Sequence, residues 1–222
     1  MKRLFRGDAP LCLAQFKHGR DNWSVISSNG LTNDIWKSLN VMQMGFCAYC
    51  ECQLLEDNNK RHIEHFVQKG KEHSVTFEWE NLFGSCNNPN RCGKFKDRSP
   101  IAKNIDLSNV CKPDVMDPSE LLLFLNTGKV RPRRSLDQQR KECAENTIAI
   151  FNLDGDSTLE NSRKAAIAGE RCLADSYWEM LSNDDGELEE LLEAELSEAL
   201  IRIKSLEHST ALMHLWVHNE KF

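Results

Sequence analysis

Long apolar runs are missing from this 222-residue sequence. No stretch approaches the roughly 20 residues a membrane-crossing helix needs. The opening MKRLFRGDAPLCLAQFK is charged and lacks the apolar segment of a secretory leader. The chain is therefore expected to be soluble and cytoplasmic, with no membrane partner. Also missing is a cationic excess: 28 Lys and Arg stand against 34 Asp and Glu, and the formal net charge of -6 argues against a general polyanion binder. Internal repeats and low-complexity linkers are absent, which argues against a solenoid. A hydrophobic content of 40% suffices for a real core, so length leaves one or two domains, and two unequal ones are expected.

Cysteine, by contrast, is abundant. Nine in a chain expected to be cytoplasmic point to metal ligation or plain burial, because a reducing compartment disfavours structural disulfides. Cys47 and Cys50 form a CxxC in FCAYCECQ, and Cys86 and Cys92 pair in GSCNNPNRCG. Two close pairs at a distance are the spacing of a tetrahedral four-thiolate zinc site, since both hairpin-like knuckles must bring two sulfurs to one ion. The second spacing is x5 rather than x2, but NNPNR is rich in turn residues and can bulge without preventing convergence. The bland alternative is four buried free thiols. Cys52 is a substitute ligand only with poor knuckle geometry, and Cys12, Cys111, Cys143 and Cys172 read as packing residues.

Charge is unevenly distributed. Acid dominates the C-terminal half, notably Asp184 to Glu198, which reads as a solvated helix face, while cations outnumber acids between Lys60 and Lys103. That basic stretch surrounds the second cysteine pair and is where phosphates are expected, with Lys69, Lys94 and Lys96 as candidate contacts.

Periodicity predicts a helix over Thr32–Met44, with Thr32 as N-cap and Gly45 as stop, delivering the chain into FCAYCE. After the polar EDNNK, two brief strands around a loop are expected, including HIEHFVQKG, and SVTFEWENLF alternates Val75, Phe77 and Trp79 before breaking at Asn81. LLLFLNTGKVRPR reads as a hairpin with Gly128 at the turn. Helices are predicted near 137–151, 158–182 and 186–206, followed by a short one carrying Leu212, Leu215 and Trp216. A boundary near residue 105 would divide an N-terminal unit, 1–105, from a hairpin-and-helix unit, 106–222. Leu188, Leu191, Leu192 and Leu196 form either a partner-facing stripe or ordinary intramolecular core.

Between the cysteine pairs lie His62-Ile63-Glu64-His65, then Asn81, then Lys94 to Asp97. FCAYCE, HIEHFVQK, FEWENLFGSC and CGKFKD together resemble the zinc-bearing HNH endonucleases, in which a CxxC, an acid-His pair, an Asn and a second cysteine pair follow in this order. More narrowly they resemble the HNH subunit of Septu-type and retron-linked antiphage systems. KPDVMDP, the hairpin and NTIAIFNLDGDSTLENSR are similar to the later part of that subfamily, so the resemblance covers most of the chain. It implies an α+β fold with a small ββα-metal core and four-cysteine zinc site, followed by a mainly helical C-terminal region.

The same resemblance implies hydrolysis of DNA or RNA with structural zinc and catalytic magnesium or manganese. His65 would be the general base, Glu64 the magnesium ligand and Asn81 the residue that pins the loop orienting His65. The partners implied are an ABC-type ATPase and, in a retron version, a reverse transcriptase with its small DNA. One position departs from the family: Gly93 and Lys94 follow the last cysteine where relatives place a His or Asn. Asp97, an Asn of NNPN, or Glu64 with phosphate alone would then complete the metal site. His62, by strand alternation on Glu64's face and opposite His65, is a further candidate ligand. A different class of function, a non-catalytic zinc module docking protein or nucleic acid, is motivated by the same departure. A nuclease should show Glu64 and His65 on one open cleft with basic walls, and a docking module should bury and pair His65.

Overall fold

Apolar residues at helical spacing build the first long element. A computed structural model of the chain, describing residues 1–57, 59–184 and 186–218, places a short helix α1 (Ser24–Ser28) before α2 (Thr32–Gln43). Helix α2 buries Ile35, Trp36, Leu39 and Met42, as its periodicity predicts. Its N-cap is Leu31, with no side-chain cap, so Thr32 is the first helical residue rather than the cap. It ends where Met44 and Gly45 both take positive φ, 56° and 78°, a left-handed turn that stops a helix. Asn58 of the polar stretch and Asp185 of the acidic run lie outside the described residues.

After α2 the chain doubles back through an isolated antiparallel bridge, Phe46 to Gln53, which encloses Cys47 and Cys50. Strand β1 (Arg61–His65) pairs antiparallel with β2 (Leu82–Cys86), setting Arg61 opposite Cys86 and His65 opposite Leu82. The alternation of Val75, Phe77 and Trp79 does not form a strand. Two 3-10 turns, His73–Val75 and Trp79–Asn81, occupy that stretch, and Phe77 and Trp79 are buried from turn conformations. Helices α3 (Cys92–Arg98) and α4 (Pro100–Lys103) follow, the latter capped by Ser99.

The hairpin forms as predicted, from β3 (Leu122–Phe124) and β4 (Val130–Pro132). Gly128 is required twice over: its φ is +87°, and a Cβ there would lie 2.2 Å from the Glu160 carbonyl oxygen. Helices α5 (Gln138–Ile150), α6 (Ser157–Asn183), α7 (Glu189–Ile203) and α8 (Ser209–Val217) complete an α+β architecture with a helical C-terminal half. Asp137 and Asp156 accept from Arg140 N and Thr158 N to cap α5 and α6. Among the described residues no helix is long and apolar enough to cross a membrane.

Buried residues on the two sides of residue 105 form one continuous cluster. Tyr49 stacks on Phe151 with ring centroids 3.9 Å apart, and Cys92 N donates to the Phe151 carbonyl at 2.9 Å. Glu51 accepts from Ser209 Oγ at 2.8 Å and Thr210 N at 2.9 Å. The helical half thus braces the segment that carries the cysteines. The leucine stripe divides: Leu192 is buried and Leu196 packs on the core, whereas Leu188 and Leu191 are exposed.

Candidate active site and metal centre

The bend after α2 and the end of β2 bring the two cysteine pairs together. Cys47, Cys50, Cys86 and Cys92 are all buried, and their Sγ atoms lie within 4.8 Å of one another. Sulfurs on one tetrahedral zinc, with bonds of about 2.3 Å, stand about 3.8 Å apart, and Cys50 Sγ and Cys86 Sγ are separated by 3.8 Å. Cys86 N donates to Cys47 Sγ at 3.4 Å, so one backbone amide already faces a sulfur. The longer second loop closes because Cys92 turns into α3 at φ 57° and Arg91 is anchored to Asp156 at 2.7 Å.

The buried thiols act strongly on one another. Hydrogen bonds from Cys47, Cys52, Cys86 and Cys92 hold the Cys50 thiol well below its ordinary pKa, while burial pushes Cys92 well above its own. All four could be thiolates together in so dry a volume only with a compensating positive ion, a donor set that fits zinc. Cys52 stays outside the cluster, with Arg91 Nη2 3.8 Å from its sulfur.

Strand β1 builds the second feature. His62, Glu64 and His65 line a cleft of about 420 Å³ together with Gln68, Lys69, Lys94 and Asp97. Glu64 is 1% exposed. Its Oε2 lies 3.1 Å from His62 Nε2 and its Oε1 2.9 Å from Lys96 Nζ. Lys96 also donates to Asp97 Oδ1 at 2.7 Å and to the His65 carbonyl at 3.0 Å. It is therefore not the surface phosphate contact expected from sequence: its four-carbon stem carries the ammonium inward from α3, leaving 4% exposure. Lys69 and Lys94 remain on the cleft wall.

His65 is also buried, at 8% exposure. Its Nε2 lies 3.0 Å from the Thr76 carbonyl oxygen, and Trp23 meets its ring edge-on with centroids 4.5 Å apart. Burial, reinforced by Lys69 and opposed by the Thr76 carbonyl, lowers its pKa to about 4. At neutral pH the imidazole is uncharged, and a backbone carbonyl can only accept, so the ring proton sits on Nε2. Asn81 fixes the intervening loop: its amide donates to the Val67 carbonyl at 2.9 Å and the Val75 carbonyl at 3.1 Å, and its Oδ1 accepts from Val67 N at 2.8 Å.

Only two donors of the cleft are spaced as adjacent ligands of one ion would be, and the same spacing is that of the hydrogen bond between them. Two adjacent ligands of an octahedral ion with bonds of about 2.1 Å stand about 3.0 Å apart, which matches His62 Nε2 and Glu64 Oε2 at 3.1 Å. Asp97 does not join them. Its Oδ1 is committed to Lys96 and to Gln68 Nε2 at 2.6 Å, and the four cysteines alone form a group of three or more metal-binding side chains among the described residues. The asparagines of NNPN do not line the cleft. Sequence reasoning missed the inward course of Lys96 and the contacts of His65 with Trp23 and Thr76, because all depend on pairing across 11 to 42 positions in the chain. No periodicity reports such distances.

The chain is similar to Septu protein PtuB of Bacillus thuringiensis. Identity is 26% over 142 residues, or 60% of this chain, which spans about half (52%) of the length of that relative. The chain matches no protein-family model. At this extent the similarity is a likeness to part of that one protein.

Proposed function

We propose that the chain is a metal-dependent HNH endonuclease and the effector of a Septu-type antiphage complex, acting on DNA or RNA beside an ABC-type ATPase. One observation carries this reading: β1 presents His62, Glu64 and His65 to a single cleft walled by Lys69 and Lys94, with Asn81 clamping the loop that holds His65. The β1–β2 pair followed by α3 is the ββα succession the HNH resemblance implies. Cys47, Cys50, Cys86 and Cys92 hold a structural zinc that ties it together.

Within this reading, Nε2 of His65 is fixed by Thr76, so Nδ1 is the nitrogen with a free lone pair. It accepts a proton from water as the water oxygen attacks phosphorus and the P–O bond to the leaving oxygen breaks. The lowered pKa makes His65 a weak base but keeps it fully neutral. Glu64 would hold the catalytic ion, which when bound would supply charge stabilisation at the phosphate. Lys69 and Lys94 draw the backbone in.

A second reading keeps support from one feature. The buried Lys96 ammonium neutralises Glu64, and His65 is buried and paired, as in a zinc module that docks without cutting. Cleavage by the chain with its operon-encoded ATPase, on plasmid and on total RNA, separates the two. Activity that His65→Ala removes supports the nuclease, and binding of either nucleic acid without cleavage supports the docking module.

A further inference from the structure

Beside the cleft lies a second cavity, of about 440 Å³, between β1 and the helices α1 and α2. It differs from the cleft in charge: no carboxylate lines it, and its walls include Trp23, Ser27, Thr32, Asn33, Trp36 and Arg61. Arg61 is 8% exposed, and its Nε and Nη1 are buried with no hydrogen-bond partner among the described residues. The guanidinium lies over the Trp36 ring, 4.2 Å from its centroid, a contact that attracts a cation without neutralising it. A guanidinium stays charged throughout the physiological pH range, and burying one unpaired is destabilising unless an acceptor arrives from outside. A second wall attracts the same kind of acceptor. Helix α2 begins there without a side-chain cap, with Thr32 and Asn33 in its first turn, and the amide N–H groups of an uncapped first turn draw an anion. The acid of that turn, Asp34, does not line the cavity and pairs with Lys37 at 3.0 Å.

We propose that Arg61 and the N-terminus of α2 form a phosphate site, which holds a backbone phosphate of the nucleic-acid strand a few nucleotides from the one being cut. The donor set gives the chemistry. A guanidinium fork pairs with phosphate oxygens, and the first-turn amides of α2 with the hydroxyls of Ser27 and Thr32 add neutral donors around a tetrahedral anion. Placement ties the site to the cleft: His62 and Ile63 line both cavities, and Trp23 forms a wall of this one while meeting the His65 ring edge-on. Arg61 and His65 are the two ends of β1, so alternation sets them on one face about 13 Å apart, a span that a few nucleotides of one strand cover. Arg61 is thus a positioning residue and takes no part in breaking the P–O bond. The inference rests on the endonuclease reading for the identity of the strand, and its test reads binding rather than cleavage.

The test uses the full chain loaded with zinc, at low ionic strength, and labelled DNA strands, single and duplex, in which one phosphate at a time is replaced by an uncharged methylphosphonate. Fluorescence anisotropy reads affinity. One position should cost the parent protein about tenfold or more. Arg61→Met should lose as much on the unmodified strand, and the methylphosphonate at that position should cost it nothing further. Because this variant removes an unpaired buried charge, it should keep its zinc and be at least as stable as the parent. Should it fail to fold, Asn33→Asp serves instead: the position is exposed, an acid suits the first turn of a helix, and a carboxylate beside the cavity should produce the same loss and the same insensitivity. Parental affinity in a folded variant, losses that add, no binding, or displacement of the strand by equimolar inorganic phosphate overturns the proposal. Cleavage by the complex with an ATPase is scored separately. Cutting with losses that add retains the nuclease reading and removes this one, and shared losses without cutting do the reverse.

Discussion

The cysteine cluster and the β1 cleft are neighbours on one small sheet, joined through Cys92 and Gly93, and solve the problem of buried charge differently. In the cluster four like groups converge, with the Arg91 guanidinium beside them and no cation at their centre, so four thiolates there would call for an ion from outside. In the cleft the chain brings its own cation, and Lys96 neutralises Glu64 before any ion arrives. The first arrangement couples folding to metal, and the second lets the fold stand whether or not a catalytic ion is bound. Removing a ligand should therefore be felt as unfolding in one region and as lost chemistry in the other.

The largest effect is expected at the cluster. Cys86→Ser should lose zinc and leave the N-terminal half unfolded, since structural zinc contributes roughly 10–16 kcal/mol in zinc-finger peptides against a total stability of about 5–15 kcal/mol for a typical domain. Metal analysis with circular dichroism reads both. A folded Cys86→Ser protein with full zinc content would remove the distinction.

Next comes His65→Ala, expected to reduce cleavage by about 100-fold to 10000-fold with zinc content unchanged. Because the ring is buried against Trp23, truncation should also lower stability by roughly 1–3 kcal/mol, so activity is compared well below the melting temperature. Parental cleavage rates in this variant would transfer the base role elsewhere.

What the sequence could and could not reveal divides along the same line. Cys47, Cys50, Cys86 and Cys92 are visible as two close pairs, and helices near 137–151 and 158–182 are read from periodicity and form as Gln138–Ile150 and Ser157–Asn183. The hairpin at Gly128 is equally plain. Val75, Phe77 and Trp79 misled because alternation records burial, and two 3-10 turns bury Phe77 and Trp79 without any strand pairing. Lys96 misled for a different reason. A lysine in a basic run reads as surface, and only the packing of α3 on the sheet turns it inward onto Glu64.

Acid should probe the helical half independently of metal. His214 Nδ1 accepts from Phe124 N at 3.0 Å, and burial, helped by Arg133 and His218, lowers its pKa to about 3. The unfolded chain, with a histidine pKa near 6.5, binds the proton more readily, so stability falls as pH drops from about 6.5 to about 3. The full contribution is at most roughly 5 kcal/mol at the acid end. His214→Asn, which can still accept from Phe124 N, should flatten the stability profile in that window. Identical pH profiles for parent and variant, measured by denaturant unfolding, would show that His214 is not a source of acid sensitivity.

The smallest effect is expected at the rim of the cleft, at Lys94. It lines the cavity beside Glu64 and Asp97, and the structure gives it no role in either buried charge arrangement. Lys94→Ala should therefore leave zinc content unchanged and alter stability by no more than about 0.5 kcal/mol. Its contribution is to phosphate: each cation that neutralises a backbone phosphate adds close to one counterion to those released on binding, so the plot of log affinity against log salt should lose about one unit of slope. Because the net charge is -6, the chain alone should bind weakly, and the measurement belongs on the proposed complex with an ATPase. An unchanged salt slope with parental affinity would place the nucleic-acid path away from β1, and the cleft would then hold an ion without receiving substrate.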